Sequence, residues 1–491
     1  MKSYHVMERP QAIAAAVALL VALRFAAAAI LPLSFDEAYY WLWSKHLALS
    51  YYDHPPLIAY AIRLGTMLFG DSAFSVRFVP LLFSAGASWA VWRTGAILLE
   101  SEKAGALASL FFNLTLMTTV ETMTATPDAP LMFAAALFVW TLAKLEESGD
   151  ARLWLAAGAA GGLALLSKYT ALFLGAGTLA WLVFTREGRR WIATPWPWLG
   201  ALIAILMFMP VIWWNAQHDW ISFRFQFGKA GEGHFAPSHL AEFLAGQLAL
   251  ASPFLFTLGV IGLVRPGGKK LVLLSALAAP SALFFTEHAM HARIEGNWPS
   301  FLYPALAIAA AGAALSPAAQ IWIARVTRIS KRLAVPVAVL FLAGAYAQAL
   351  TGFLPVRDPT ARLLASGSVP VAQRIEALRV QYDAAAILTT NYAPTGWLAF
   401  YVPDHPPVVQ ANEAYRWLAA PKADAGLLHQ PLLYVTEPRR DEARILAYDF
   451  ARQQLVARLT RTRNGRAIDL YDVYLVSGWR GAPLGRVTNR P

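Results

Sequence analysis

The sequence predicts a multi-span α-helical membrane protein with a C-terminal α/β domain, and three observations lead to this fold class. First, 57% of the 491 residues are hydrophobic and only 14% are charged, whereas soluble domains carry about a quarter charged residues. Second, apolar stretches long enough for membrane helices recur through residues 1–353. Third, the composition changes at Pro355, after which charge rises and short strand-like stretches replace the apolar runs.

The apolar stretches number about eleven, since a helix needs about twenty residues to cross the hydrocarbon core. Several are short, so the predicted count is about 11 to 13 spans. Lys2 and Arg9 precede the first stretch, whose length indicates an uncleaved anchor rather than a signal peptide. The predicted spans are Ile13–Leu33, Phe78–Leu99, Ala104–Val120, Ala129–Ala143, Leu153–Leu166, Thr170–Phe184, Trp196–Trp214, Leu240–Val264, Leu271–Phe285, Phe301–Leu315 and Pro336–Phe353.

The loop charges test this order of spans independently. If the N-terminus is cytoplasmic, the positive residues fall in the inner loops, as the insertion bias requires. A miscounted span would invert the pattern downstream, and no inversion occurs. An odd number of spans then places the tail outside. The inner loops hold Lys103, Lys144, Arg152, Arg186, Arg189, Arg190, Arg265, Lys269, Lys270, Arg325, Arg328, Lys331 and Arg332, and the outer loops hold Asp36, Glu37, Asp53, Glu121, Asp128, Asp219, Glu232, Glu287 and Glu295.

The chain is therefore divided into a membrane domain, residues 1–353, and an extracytoplasmic domain, residues 354–491. The second domain is long enough to bury a core of its own. Alternating and apolar stretches in it predict strands and helices. The strands are Ala384–Thr390, Pro407–Gln410, Pro431–Thr436 and Ala467–Val476, and the helices are Val371–Val380 and Pro394–Tyr401.

Charge and cysteine content exclude several other classes. The net charge of +11 would suggest nucleic-acid binding in a soluble protein. Here the basic residues lie in short runs between apolar stretches and act as topology signals, so we expect the lipid bilayer and no nucleic acid as a partner. The chain contains no cysteine, which excludes disulfides and thiolate metal sites.

The first outer loop, residues 34–76, carries the strongest functional signal. Asp36 and Glu37 follow the first span directly, where a carboxylate is tolerated only if it faces water, a cation or a partner. We expect Asp36 to begin an active site on the outer membrane surface, with Glu37 as a second catalytic candidate. The alternative is an interfacial anchor, because amphipathic aromatic side chains prefer the headgroup level. The aromatic residues of this loop are Tyr39, Tyr40, Trp41, Trp43, Tyr51 and Tyr52.

Short motifs follow one another in a characteristic order: Asp36–Glu37, Pro55–Pro56–Leu57, Thr126–Pro127–Asp128–Ala129–Pro130–Leu131, Leu166–Ser167–Lys168–Tyr169, Asn297–Trp298–Pro299 and Asn391–Tyr392. Together they resemble the family of dolichyl-phosphate-mannose protein mannosyltransferases, and most closely the bacterial branch that includes the aminoarabinose lipid A transferase. The resemblance covers the whole chain and is most specific in its first third.

This resemblance implies a membrane glycosyltransferase of the C superfamily in the bacterial inner membrane. Such an enzyme takes a sugar from a polyprenyl-phosphate carrier and places it on an acceptor at the periplasmic side. The first-loop Asp is the proposed catalytic acid/base residue of the family, and Asp36 matches it. In the lipid A branch a Lys before Pro–Pro–Leu helps to bind the carrier phosphate. His54 occupies that position here, so any cationic help would depend on pH.

The residues support the same chemistry directly. A positioned carboxylate can accept the proton of a hydroxyl that attacks the anomeric carbon, and the departing phosphate needs positive charge nearby. Lys168 is the first candidate cation, because it lies on the side where the insertion bias disfavours cations; the alternative is a snorkelling lysine. Arg224 and Arg293 are the next candidates, although Arg224 could simply pack on aromatic rings. Asp128 either contacts substrate or stabilises a helix N-terminus.

Two further points concern a charge inside the membrane and the candidate metal ligands. Arg24, near the middle of the first span, is too costly to face lipid and is expected to pair inside the bundle. The sequence identifies no cofactor with certainty, and a divalent metal held by Asp36 or Asp53 stays open, because some relatives in the superfamily use one. His288 and His291 could share a metal if their segment is helical, although loop histidines are more often solvated or hydrogen-bonded.

Several functions remain as alternatives. A transporter or flippase would place ionisable groups near mid-bilayer, often in repeated halves, whereas this chain has only Arg24 there and no visible repeat. Another alternative is a non-catalytic envelope protein with a binding tail. Among enzymes, the alternative is a polymerase or ligase of lipid-linked glycans. For a transferase, lipid A or another envelope glycolipid or glycan is favoured as the acceptor over protein by the resemblance alone.

Overall fold

A computed structural model describes residues 10–228, 233–316, 320–354, 364–422, 424–438 and 449–481. The chain divides into two compact units. Unit 1 comprises residues 1–29, 53–61 and 77–345, and unit 2 comprises residues 30–52, 62–76 and 346–491. Most of the predicted first loop thus packs with the C-terminal tail, a grouping that the predicted division at residue 353 does not include.

Helices account for most of the described chain. The eleven predicted apolar stretches all fall largely on helices, which confirms the helical prediction for them. The first seventeen helices are α1 (Pro10–Ile30), α2 (Phe35–Lys45), α3 (Leu57–Phe69), α4 (Ala73–Leu98), α5 (Glu102–Leu114), α6 (Leu116–Met123), α7 (Asp128–Ser148), α8 (Leu153–Ser167), α9 (Leu172–Phe184), α10 (Arg186–Ile192), α11 (Trp196–Gln217), α12 (Ile221–Gly228), α13 (Pro237–Ala251), α14 (Pro253–Val264), α15 (Val272–Ala289), α16 (Tyr303–Leu315) and α17 (Ile321–Thr351).

Length separates these helices into two groups. Six helices of the described chain are long and apolar enough to cross a membrane, or up to eight if each bent pair is one span. The pair α5 and α6 bends by 69°, and the pair α13 and α14 bends by 105°. Pro253 causes the second break, because a proline at a helix start offers no backbone N–H to the preceding turn. The predicted count of about eleven crossings stays a prediction, since α8, α9 and α16 are shorter.

Inside unit 1, a buried arginine of α1 forms hydrogen bonds with three further helices. Arg24 on α1 is 1% exposed. Its guanidinium donates to the Ser84 hydroxyl of α4 at 2.8 Å and to the side-chain oxygen of Asn113 at the end of α5 at 2.7 Å. It also donates to the Asn113 carbonyl and to the Thr119 hydroxyl of α6. The prediction that Arg24 pairs inside the bundle is confirmed, and its bonds join the two arms of the α5–α6 bend.

Unit 2 contains a five-stranded mixed sheet with strand order β2-β1-β3-β5-β4. Strands β1, β2 and β3 run parallel, and β5 is antiparallel to both β3 and β4. The four predicted strands and two predicted helices of the tail are all present. The elements are α18 (Ser368–Gln381), β1 (Ala386–Thr389), α19 (Tyr392–Tyr401), β2 (Val408–Gln410), α20 (Ala425–Leu428), β3 (Leu432–Thr436), β4 (Phe450–Arg463) and β5 (Arg466–Trp479).

Helix α19 packs directly on α2, and this contact brings the first loop and the tail together within unit 2. A Cβ atom built on Gly396 of α19 would lie 2.8 Å from the backbone nitrogen of Tyr39 on α2. Real Cβ atoms do not approach that closely, so glycine is required for the two backbones to meet. The contact also explains why a boundary drawn along the sequence separates residues that fold together.

Candidate active site

The carboxylate of Asp36 is presented to solvent by the first turn of α2. Ser34 caps this helix, since its hydroxyl accepts from the backbone N–H of Glu37 at 3.1 Å. The Glu37 carboxylate in turn accepts from the Ser34 N–H at 2.7 Å, which completes a capping box. Glu37 is fully buried whereas Asp36 is exposed. The two neighbouring acids therefore differ: the Glu37 carboxylate stabilises the helix start, and the Asp36 side chain is exposed to solvent.

Tyr392, the first residue of α19, makes the contact between the tail and Asp36. Its hydroxyl donates to Oδ1 of Asp36 at 3.3 Å. The helix start is fixed from two sides, because the side chain of Asn391 accepts from Ala393 N–H at 3.0 Å and the Glu413 carboxylate accepts from Tyr392 N–H at 2.9 Å. A carboxylate at this position also interacts favourably with the helix dipole.

Arg416 lies among four tyrosine rings near this contact. Its guanidinium carbon lies 4.7 Å from the ring centroid of Tyr392 and 5.2 Å from that of Tyr52. Cations attract aromatic faces at such distances. Its Nε lies 3.3 Å from a carboxylate oxygen of Glu413. The same carboxylate group accepts the hydrogen bond from the Tyr392 N–H. The remaining two rings belong to Tyr39 and Tyr415.

Sequence reasoning did not find Arg416. The only signal was the run Tyr415–Arg416–Trp417, a cation between two aromatic residues in a polar segment. Such a run is common on protein surfaces, and no pattern along the chain connects it with a loop more than three hundred residues earlier.

In unit 1, Lys168 and Asp128 form a buried ion pair. The Lys168 Nζ lies 2.9 and 2.8 Å from the two carboxylate oxygens of Asp128. Asp128 also accepts from the amide of Asn297 at 2.9 Å and from the hydroxyl of Ser300 at 2.6 Å. Its position at the first residue of α7 adds the helix dipole to these interactions. Three motifs that are distant in sequence therefore meet at one carboxylate.

This geometry changes the interpretation of the predicted phosphate ligands. The charge of Lys168 is already matched by Asp128, and the lysine side chain is only 8% exposed. Arg224 on α12 is exposed instead, and its guanidinium makes no hydrogen bond or ion pair with any described residue. Of the predicted cations, Arg224 is therefore the one whose charge is available to a ligand.

The other predicted site residues include an arginine in an exposed ion pair and a half-buried histidine. Arg293 forms an exposed ion pair with Glu242 at 2.9 Å. His54 is half-buried. The residue before it, Asp53, accepts a hydrogen bond at its backbone carbonyl from the side-chain amide of Gln226. Whether the residues predicted in unit 1 share one cavity with Asp36 in unit 2 stays a prediction.

No group of three or more His, Asp or Glu that could hold a metal ion occurs within the part of the chain that the structure describes. His288 is buried and stacks on Phe284 and Trp298. His291 contacts Glu287 instead. The two histidines are therefore engaged separately, and no step of the chemistry below is assigned to a metal.

The fold is similar to that of two solved structures of one protein, ArnT from Cupriavidus metallidurans. The crystal structure of ArnT from Cupriavidus metallidurans bound to undecaprenyl phosphate superimposes with a TM-score of 0.62 at 16% identity, covering 93% of this chain and 97% of that one. Its apo structure gives a TM-score of 0.59 at 17% identity, covering 94% and 96%. At this level of identity the likeness concerns the fold.

Sequence comparison finds a family model and a relative that resemble parts of this chain. The model of the family described as dolichyl-phosphate-mannose-protein mannosyltransferase matches residues 53–214. Lipid A galacturonosyltransferase RgtD from Rhizobium johnstonii is 29% identical over 280 residues, which are 55% of this chain and 58% of the relative. The chain thus matches somewhat more than half the length of this curated relative. These matches confirm the resemblance to the mannosyltransferase family and its lipid A branch.

Proposed function

We propose that this protein is a membrane glycosyltransferase that moves a sugar from a polyprenyl-phosphate carrier to lipid A or another envelope glycolipid at the periplasmic face of the inner membrane. The observation that carries the proposal is the exposed Asp36 carboxylate at a capped helix start, in a fold shared with a protein crystallised with undecaprenyl phosphate. The name of the RgtD relative makes galacturonic acid the first sugar to test.

The proposed reaction assigns one role to Asp36. An acceptor hydroxyl oxygen attacks the anomeric carbon, the bond from that carbon to the phosphate oxygen breaks, and the polyprenyl phosphate leaves with the electron pair. Asp36 takes the hydroxyl proton as general base, a role that typically accelerates a reaction by about 10²–10⁴-fold. The phosphate leaving group needs no general acid, because it is already a weak base.

The negative charge that grows on the phosphate requires a cation. Arg224 is the proposed first ligand, because its planar guanidinium is exposed, has no other partner among the described residues and can bind phosphate oxygens in pairs. Lys168 would reach a phosphate only by giving up Asp128. Its proposed role is therefore to hold Asp128, Asn297 and Ser300 in place, and a direct phosphate contact is the second possibility for it.

The experiment uses the full-length protein in liposomes with lipid A and a polyprenyl-phosphate galacturonic acid donor. Mass spectrometry of the lipid A should show the added sugar with the wild type, and Asp36→Asn should lose at least about 100-fold in rate. Asp383→Asn is the matched control, because Asp383 is an exposed aspartate of unit 2 outside the site, at a backbone φ of 50° that asparagine tolerates. Donor movement across the bilayer without a covalent product would instead indicate a transporter, and full activity of Asp36→Asn would remove the assigned base.

A further inference from the structure

We propose that Tyr392 is a positioning residue for Asp36, and that the C-terminal tail is therefore a part of the active site rather than a separate module. The inference rests on the proposed function, since it assumes that Asp36 is the general base. Two observations support it: the Tyr392 hydroxyl donates a hydrogen bond to Oδ1 of Asp36, and several neighbouring groups hold the tyrosine in place.

The contact joins the two ends of the chain. Tyr392 lies 356 residues after Asp36, so only the fold of unit 2 brings them together. The oxygen–oxygen distance of 3.3 Å is longer than the optimum of about 2.7 Å for such a bond. At this length the hydroxyl orients the carboxylate and favours its ionised form only modestly. A general base benefits from this combination, because its carboxylate is held in place while its affinity for a proton is reduced only slightly.

Three groups restrain Tyr392. Glu413 accepts from its backbone N–H at 2.9 Å. Arg416 covers its ring, with the guanidinium carbon 4.7 Å from the ring centroid. The ring of Tyr39, on the same helix as Asp36, lies 4.9 Å away between centroids. Glu413 also pairs with Arg416, so the backbone restraint and the ring restraint are coupled through one carboxylate.

The backbone of unit 2 sets the distance between the two residues. Asp36 lies in the first turn of α2 and Tyr392 in the first turn of α19, and the two helices are in backbone contact where Gly396 meets Tyr39. A rigid separation of this kind suits a positioning role, since the tyrosine cannot approach or retreat without moving a whole helix.

The ionisable groups around the contact come from each of the packed segments. They are Glu37 and Tyr39 on α2, Tyr52 after it, Tyr392 on α19, and Glu413, Tyr415 and Arg416 between β2 and α20. Tyr392→Phe removes only one hydroxyl from this set. Because a hydrogen bond to the ionised form lowers the pKa of a carboxyl group, its loss should raise the pKa of Asp36.

The test is the pH dependence of kcat/KM in the liposome assay. Tyr392→Phe should move the acidic limb of the profile upward by about half a pH unit, with kcat reduced and KM for the donor unchanged. Tyr382→Phe is the matched control, because Tyr382 is a half-buried tyrosine of unit 2 whose hydroxyl makes no hydrogen bond with any described residue. Arg416→Lys keeps the charge but loses the planar stacking and should shift the limb in the same direction.

The outcomes separate this inference from the proposed function. If Asp36→Asn is inactive and both Tyr392→Phe and Arg416→Lys keep the wild-type pH profile, Tyr392 has no positioning role and the proposed function stands. If Asp36→Asn is fully active, both ideas are overturned. If Tyr392→Phe is too unstable to purify, the Arg416→Lys profile alone decides.

Discussion

The Lys168 ammonium and the Asp128 carboxylate form a buried ion pair at 2.8 Å, although each was predicted to meet the substrate. Removing one member of a buried pair leaves an unmatched charge and typically costs about 3–5 kcal/mol. Lys168→Met should therefore lower the apparent Tm in detergent strongly. Adding Asp128→Asn to Lys168→Met should recover part of the loss, because asparagine leaves no unpaired charge.

The same pair of variants separates structure from chemistry. A double variant that is folded and active would show that the pair is structural, whereas one that is folded and inactive would show that at least one of the two residues takes part in the reaction. Purely additive losses of stability would contradict the proposed coupling between the two residues.

Arg224 should act on the donor without supporting the fold. Its guanidinium is exposed and uncommitted within the described chain, and a charged hydrogen bond is worth about 1.5–3 kcal/mol. Arg224→Gln should therefore lower kcat/KM for the polyprenyl donor by about tenfold or more, with an unchanged Tm. Arg186→Gln, at another exposed arginine of unit 1, is the control, and equal effects of the two changes would argue against a phosphate contact.

Arg24 should be essential to the stability of unit 1. Its side chain binds α4 and both arms of the α5–α6 bend. Arg24→Met leaves several buried oxygens without their donor, so we expect a loss of more than about 2 kcal/mol in the free energy of unfolding. Arg93→Met removes an exposed ion pair with Glu102 and should cost less than about 1 kcal/mol. Similar Tm values for the two variants would be inconsistent with the inferred role.

Gly396→Ala tests the backbone contact between α19 and α2. The new methyl group would meet the Tyr39 nitrogen at 2.8 Å, and overpacking of this kind costs about 1–3 kcal/mol. Gly344→Ala in α17 has open space around it and should be neutral or stabilising, since alanine favours a helix. If Gly396→Ala is as stable as Gly344→Ala, the helices can separate without cost.

A pH-dependent contribution is expected from Asp71 in the first loop. Burial raises the pKa of Asp71, but hydrogen bonds from Lys45 and Trp41 and the charges of Lys45 and His405 outweigh it, so the pKa lies below its usual value. A depressed pKa stabilises the fold above the unfolded value of about 3.9, and the contribution is lost as the pH falls through the folded value.

Because the ion pair of Lys45 and Asp71 is partly exposed, Asp71→Asn should lower the free energy of unfolding by only about 1 kcal/mol or less at pH 7. The difference from the wild type should shrink as the pH falls below the unfolded value of about 3.9 and through the lower folded value. Thermal unfolding at neutral and at acidic pH measures this, and a difference that persists in acid would point to packing rather than charge.

Local patterns predicted most of the elements, and their failures have identifiable causes. The apolar stretches and four strands were found because burial repeats with the helix or strand period. Strand β4 was missed, since most of it is exposed and polar, and it pairs only with β5 at the edge of the sheet. Glu37 was the second catalytic candidate after Asp36, and the structure shows that its carboxylate takes part in the capping box.

The sequence by itself determined the membrane class, the positions of the helices and the carboxylate at which the chemistry is proposed. These follow from hydrophobicity and charge, which act over a few residues at a time. Only the tertiary structure decided which charges neutralise each other and that Tyr392 and Arg416 stand near Asp36. The contact between Tyr392 and Asp36, for example, joins residues 356 positions apart, and the energies of such contacts depend on burial and geometry that no local pattern contains.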